Sequence, residues 1–581
     1  MNKLFISVIL IFITSQNIYT QYLPEPKLKQ NFPIELEKSN YGFLPSAQFY
    51  DLDNDGYLEI ILSSGNYIHI IRRNGENFPG WPKYLPYSNV TGPAIGDIDG
   101  DGYKEIIAVS STRNPGFGGV YVWRTNGDDM PGFPVTFQDP ESGSPVGPTI
   151  YDINKDGKLE IFFRRWYKVY GLDWRGKVLP GWPQTIPNGY FGMSVPKISD
   201  VDFDSIPEIF VSATYTEWVD TTSYFMIVCY QPDGTIKAGW PFIRKDQFLF
   251  SVPLGAISQF QGNDYKVIAF GTSIYRKIYN CYFYLLNPLG EVIKGWPKEL
   301  EDPLFGHNSA IFLNYKNQSA KGRSDVVIAG GLFGYLYAWE EDGTSLPMFP
   351  FELPGINGPF APGVPSVPIP YHDLENKEFV LFTNADITKN DTGYVFASRS
   401  NATQMAWSPL KVNGLAASTP AFADLENDGT VEMVMATKTA DQINLYVWEF
   451  TDIPYDKQRF PWPVGNANRW NTGEFGFEPT DTVIVSVRNE NGLPSKIKLY
   501  QNYPNPFNAS TKIKYDIDRN TKVRLSVYNI LGQEVVVLVD SEQRAGSYEA
   551  VWDARKYPSG VYYVKMESNN YKSVQKLIMI K

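Results

Sequence analysis

The sequence predicts an all-β protein, a β-propeller followed by a small β-sandwich. Three observations carry that prediction: an acidic loop that recurs five times, an aromatic-proline closure that recurs every 48 to 58 residues or so, and a switch to alternating strand patterns near the C-terminus. Composition agrees. Aromatic residues make up 15% of the 581, and 48 Gly and 43 Pro punctuate the chain, the profile of short strands joined by turns rather than of helices. The formal charge of −11 arises from acids that cluster in loops, and no basic stripe is present, so cations rather than nucleic acid are the expected partners.

The acidic loop reads DLDNDGYLE at Asp51, DIDGDGYKE at Asp97, DINKDGKLE at Asp152, DVDFDSIPE at Asp200 and DLENDGTVE at Asp424. A β-prone run follows each, such as residues 60–62 or 106–109, then an aromatic strand such as Val120-Tyr121-Val122-Trp123. Each unit ends in a closure: Gly80-Trp81-Pro82, Gly132-Phe133-Pro134, Gly181-Trp182-Pro183, Gly239-Trp240-Pro241, Gly295-Trp296-Pro297, Met348-Phe349-Pro350, Ala406-Trp407-Ser408 and Pro461-Trp462-Pro463. Degenerate loops fall near Asp264, Asp325 and Asp373, and a ninth, partial closure stands at Asn31-Phe32-Pro33. A unit of about 50 residues cannot bury both faces of its sheet alone, and radial stacking into a propeller solves this. Eight repeats give seven or eight blades, with the first and last segments able to share one.

Within the first loop, Asp51, Asp53 and Asp55 place carboxylates at positions 1, 3 and 5; Gly56 permits the turn, Tyr57 offers a backbone carbonyl and Glu59 closes at position 9. Hard oxygen ligands at this spacing suit calcium. The same roles fall to Asp97, Asp99, Asp101, Tyr103 and Glu105; to Asp152, Asn154, Asp156, Lys158 and Glu160; and to Asp424, Glu426, Asp428, Thr430 and Glu432. The loop of Asp200, Asp202, Asp204 and Glu208 departs by carrying Ser205 where Gly is expected. An EF-hand is excluded, because position 12 is Leu62 in the first loop and Ala108 in the second rather than Glu. The rival reading is a set of acidic turns without metal.

These loops and strands, over roughly residues 45–470, resemble the FG-GAP (VCBS-type) repeats of integrin-type propellers and related bacterial proteins. That resemblance implies calcium at the blade edges and a role in adhesion or ligand binding. It does not extend to the positions near Asp264, Asp325 or Asp373.

Residues 1–20, with Lys3 ahead of the apolar run 4–13, read as a secretory signal peptide too short for a permanent transmembrane anchor. Residues 21–473 are the expected propeller and 474–490 a linker. Over 491–581 six or seven short strands predict an Ig-like β-sandwich. Its blocks are Asn502-Tyr503-Pro504-Asn505-Pro506-Phe507-Asn508, residues 527–535, Gly546-Ser547-Tyr548, Trp552-Asp553-Ala554, Pro558-Ser559-Gly560-Val561-Tyr562-Tyr563 and the basic apolar end. They resemble the type A C-terminal sorting domain of the type IX secretion system of Bacteroidetes and their relatives, which implies the type IX secretion machinery as a partner and a secreted or outer-cell-surface location in a Gram-negative bacterium.

Cys229 and Cys281 lie on strands of neighbouring repeats, where either a disulfide or two buried thiols is possible. His69, His307 and His372 fall in separate repeats without metal-ligand spacing and read as structural, and no G-x-S-x-G, H-E-x-x-H or P-loop motif occurs. The expected function is a calcium-stabilised propeller that binds an extracellular protein or glycan and is not an enzyme; a polysaccharide-acting propeller is the alternative, since two carboxylates suffice for that chemistry. The metal-poor repeats, roughly 242–410, with Gly/Pro-rich connections such as 353–370, are the expected recognition arc.

Overall fold

The computed structural model describes residues 23–37, 44–89, 92–110, 118–137, 145–187, 191–216, 222–274, 281–300, 310–314, 323–353, 369–373, 378–386, 392–455, parts of 460–486, and 497–580, apart from short breaks at 193, 248, 252–253, 332–333, 417, 503, 509, 518–520, 544–545 and 569–570. The predicted signal peptide, most of the linker, His307 and residues 354–368 lie outside the described residues.

Alternating apolar runs bounded by Gly, Asp and Pro turns form short strands, and these pair in chain order into antiparallel sheets. Residues 48–89, 94–136, 145–185, 191–247, 254–300, 310–352 and 369–413 make blades one to seven, each with its first strand innermost. Blade eight combines Ala421–Ala423, Thr430–Lys438 and Ile443–Pro454 with two strands from the other end of the chain, Lys27–Leu28 and Ile34–Leu36. Lys27 stands opposite Glu449 and Ile34 opposite Leu445. The described residues thus form an eight-bladed propeller, and the first and last segments do share a blade. The eighth closure is accordingly Asn31-Phe32-Pro33, where the Asn31 amide donates to Asn74 O of blade one at 3.3 Å. Pro461 and Trp462, read from the sequence as that closure, lie outside the described residues.

The second strands, such as Glu59–Ser63 and Glu105–Ser110, are wholly buried, because neighbouring blades cover both faces. Closures join each blade to the next. The indole N–H of Trp81 donates to Thr125 O at 2.8 Å, Trp182 to Pro232 O at 2.9 Å, Trp240 to Pro288 O at 2.9 Å and Trp296 to Glu341 O at 2.7 Å. Each acceptor opens the outer turn of the following blade. Glycine precedes the aromatic residue for two reasons, a positive φ and the close approach of that turn: at Gly181 φ is +81°, and a Cβ would overlap the Asp233 carbonyl oxygen.

After blade eight the chain crosses the inner ends of the blades. The buried Asn471 donates through Nδ2 to Pro93 O (3.3 Å) and Pro148 O (2.9 Å), and its Oδ1 accepts from Gln48 Nε2 at 3.2 Å, so one side chain touches blades one, two and three. Glu474 pairs with Lys266 of blade five at 2.7 Å, and Phe477 stacks on Tyr151 of blade three.

Residues 485–579 form two four-stranded antiparallel sheets that enclose their own core around Trp552, Phe507, Tyr515 and Tyr562. Cys229 and Cys281 are buried free thiols in blades four and five.

The closure geometry predicts that Gly181→Ala, which must strain φ and displace the next blade's turn, destabilises the protein by about 2 kcal/mol or more. Trp182→Phe, which removes one hydrogen bond, costs about 1 kcal/mol. Chemical denaturation of the two variants checks the order.

Candidate metal centre in the acidic loops

All five loops join the first strand of a blade to its second, and they fall in the consecutive blades eight, one, two, three and four. Their backbone is nearly identical. The position-1 carboxylate accepts from the N–H at position 6: Gly56 to Asp51 (2.9 Å), Gly102 to Asp97 (2.8 Å), Gly157 to Asp152 (3.1 Å), Ser205 to Asp200 (3.1 Å) and Gly429 to Asp424 (2.9 Å). Ser205 keeps this shape at φ +72°, so the departure from Gly does not alter the loop. Position 5 accepts from the N–H at position 7, as in Tyr57 to Asp55 at 3.0 Å and Ile206 to Asp204 at 2.7 Å.

Position 2 anchors each loop. Leu52, Ile98, Ile153, Val201 and Leu425 are buried, and their N–H groups donate to one oxygen of Glu59, Glu105, Glu160, Glu208 and Glu432 at 2.8 to 3.0 Å. The carbonyl of the same residue faces the next blade: Leu425 O accepts from Leu58 N–H at 3.0 Å, Ile98 O from Leu159 N–H at 3.1 Å and Val201 O from Lys266 N–H at 2.8 Å. The loops are therefore joints between blades as well as acidic clusters.

Carboxylate oxygens of Asp51, Asp53 and Glu59 lie within 4.8 Å of one another, as do those of Asp97, Asp99 and Asp101 and those of Asp200, Asp202 and Glu208. In the first loop the half-exposed Arg72 touches only the rim, at Asp53 (3.1 Å). In the third, the Asn154 amide nitrogen lies between Glu160 Oε1 (3.0 Å) and Asp156 Oδ2 (3.3 Å), while its Oδ1 accepts from Asp156 N–H at 2.8 Å. In the other two loops a lysine of the chain itself stands among the acids. Lys237 Nζ contacts Asp202 at 2.8 Å and also Glu208, and Lys29 Nζ contacts Glu432 at 2.9 Å and Glu426 at 3.1 Å. Burial pulls both lysines down, but the hydrogen bonds they donate to these carboxylates, with the carboxylates' charge, more than offset it and hold them above the ordinary lysine value.

Burial and crowding by like charge push the acids of the first three loops up, and burial also raises Glu208 and, to about 7, Glu432 despite their lysines. Burial, then the charges of Asp53 and Asp51, raises Glu59 to about 8; burial, then Asp99, raises Glu105 to about 9. Glu160 reaches about 7 and Asp51 about 6, chiefly through burial. Such clusters call for a cation. His69, by contrast, is structural: buried, pushed down to about 4 by desolvation, and hydrogen-bonded to Ser64 at 2.7 Å.

The terminal sandwich uses its sequence blocks as structure. Asn505 Nδ2 donates to Lys576 O at 2.9 Å while its Oδ1 accepts from Ile578 N–H at 2.9 Å, clamping the last strand, Tyr571–Met579. Phe507 packs on Trp552, whose ring meets Tyr562 edge-on. Ile530 and Leu531 stand exposed at one hairpin tip.

Because the folded pKa of Glu59, Glu105 and Glu160 lies above the unfolded value, the folded chain holds extra protons between about pH 4.5 and 9. Their contribution to stability is present at low pH and lost as pH rises through that window. In chelator the melting temperature falls from pH 5 to pH 9, and Glu105→Gln, which keeps an acceptor for Ile98 N–H, flattens the fall; thermal melts across that range check this.

Comparison with known proteins agrees with these two regions. The model of the FG-GAP-like repeat matches residues 51–108 and 97–163, and that of the secretion system C-terminal sorting domain matches residues 501–581. No curated protein matches the chain. Among solved structures, the Vibrio cholerae biofilm matrix protein Bap1 aligns at 12% identity, covering 77% of this chain and 94% of its own, with a TM-score of 0.36. The Dos1 propeller aligns at 13%, covering 75% and 98%, at 0.44, and the Pseudomonas aeruginosa PilY1 C-terminal domain at 10%, covering 73% and 93%, at 0.30. Among the described residues no helix is long and apolar enough to cross a membrane. The chain thus carries FG-GAP-like repeats in a propeller and ends in a type IX secretion sorting domain, which marks it for export through that machinery.

Proposed function

We propose that the chain is an extracellular binding or adhesion propeller, delivered by the type IX machinery to the outer cell surface or beyond and braced by calcium. The observation that carries the calcium reading is the convergence of buried, charge-crowded carboxylates at the joint between blades. Asp51, Asp53, Asp55, Glu59 and the Tyr57 carbonyl would hold one ion. Asp97, Asp99, Asp101, Glu105 and the Tyr103 carbonyl would hold a second, and Asp152, Asn154, Asp156, Glu160 and the Lys158 carbonyl a third. Bound calcium supplies charge neutralisation and a rigid oxygen cage, and no bond-breaking step is assigned to it.

At about 2 mM calcium and a dissociation constant on the order of 0.1 mM, each site adds roughly 1.8 kcal/mol to folding. Three such sites approach the whole net stability of an ordinary domain, about 5 to 15 kcal/mol. The binding role is supported by a rigid ring that presents many loops at its faces and by the export tail, a combination suited to contact outside the cell.

Melting the full chain in 2 mM calcium and in chelator is expected to give a clearly higher midpoint with calcium, and Asp99→Ala is expected to remove about one third of the difference; an unchanged midpoint would refute the calcium reading. Screening the purified chain against glycan and extracellular-protein arrays is expected to give binding that leaves the bound glycan intact. Cleavage of a polysaccharide would favour the enzymatic reading instead.

A further inference from the structure

We infer that in blades four and eight a lysine of the chain itself, Lys237 or Lys29, is the cation of the acidic loop, so that the protein takes three calcium ions rather than five. The count of three rests on the calcium reading above; the role of the lysines does not.

The two lysines hold one structural position. Each lies three residues before its closing aromatic, Trp240 or Phe32. Each donates its N–H to the third strand, Lys237 to Cys229 O and Lys29 to Val447 O, while the closing residue donates back to its carbonyl. In the other six blades the same hydrogen-bonded position holds an apolar residue: Phe78, Met130, Leu179, Ile293, Leu346 and Met405. This slot is mostly buried, and from it both lysine side chains reach the loop of their own blade. Both lysines occur in blades that have an acidic loop, and the three blades without a loop carry an apolar residue there.

Charge explains the coincidence. Glu208 and Glu432 have fully buried side chains, and the lysine side chains are only about one tenth exposed. Neither partner tolerates burial without the other. The ammonium of Lys237 reaches the position-3 and position-9 acids, Asp202 and Glu208, and that of Lys29 reaches the equivalent Glu426 and Glu432. It therefore stands among the groups that would ligate a metal. In blades one, two and three the slot offers Phe78, Met130 and Leu179, and the loops there are left to take a cation from solution, since Arg72 reaches only Asp53 at the rim of the first. Lys29 adds a second effect, because it belongs to the N-terminal segment and ties that segment to blade eight.

The test uses the full-length chain, calcium as the probe and methionine as the replacement, since Met130 fills the slot above the intact loop of blade two. Equilibrium dialysis is expected to give three calcium ions per wild-type chain and four for Lys237→Met or Lys29→Met. In chelator, Lys237→Met is expected to melt about 5 °C lower. Calcium should restore it, and adding Glu208→Gln should recover part of the loss even without calcium. Five ions on the wild type, or no loss in chelator, would overturn the inference. No calcium on the wild type would overturn the calcium reading of the first three loops alone; the chelator melts of Lys237→Met and of Lys237→Met with Glu208→Gln would still decide the role of the lysine, loss followed by partial recovery supporting it and no loss refuting it.

Discussion

Each blade is a sheet that cannot keep water from its own two faces, so the molecule depends on how one blade is fastened to the next. The fastening is a short segment in which a glycine clears room for the neighbour's turn, an aromatic ring fills the gap beneath it, and an indole N–H reaches that turn's first carbonyl, as Trp182 does to Pro232. The contact is repeated around the ring with Trp or Phe as the filler. Because it is made at the outer edge, it fixes the angle between blades and leaves the inner ends to be joined by other means.

The acidic loops join those inner ends over five of the eight blades. A buried apolar residue at position 2 holds its own loop through its N–H and, at three of the joints, holds the following blade through its carbonyl. Closing such a loop gathers several carboxylates in a partly desolvated space, and the arrangement stands only if positive charge is supplied. Lys237 and Lys29 meet this electrostatic demand in two of the loops, and calcium is the cation proposed for the other three. At the centre, Asn471 and Glu474 add a third kind of link, polar contacts from a single segment to blades one, two, three and five.

The repeats were legible because they recur: the D-x-D-x-D-G loops depend on neighbours within about ten residues, and the Gly-Trp-Pro closures on the turn of the next repeat, 44 to 50 residues on. The same locality let the terminal blocks announce a separate sandwich. What could not be read depends on contacts across the ring. The eighth closure is Asn31-Phe32-Pro33 rather than the motif at 461–463, because the last blade borrows its outer strand from the opposite end of the chain. Lys29 lies 403 positions from Glu432, and Asn471 more than 370 from Pro93. A lysine three residues before a closing aromatic is a visible signal, but its meaning needs the fold. Ser205 shows the reverse case: a departure in sequence that the backbone absorbs at a positive φ of +72°, against +85° to +92° for the glycines of the other loops.

The shared eighth blade makes ring closure a late event in folding. The segment holding Ile34–Leu36 precedes its partner, Ile443–Pro454, by some four hundred residues. Until the two meet, seven blades can stack but the final strand presents an unpaired edge, the kind of surface on which chains cross-associate. Loop-closure entropy grows only slowly with length, so the long separation costs little stability and mainly delays the finish. The ring is therefore complete only once two segments some four hundred residues apart have met.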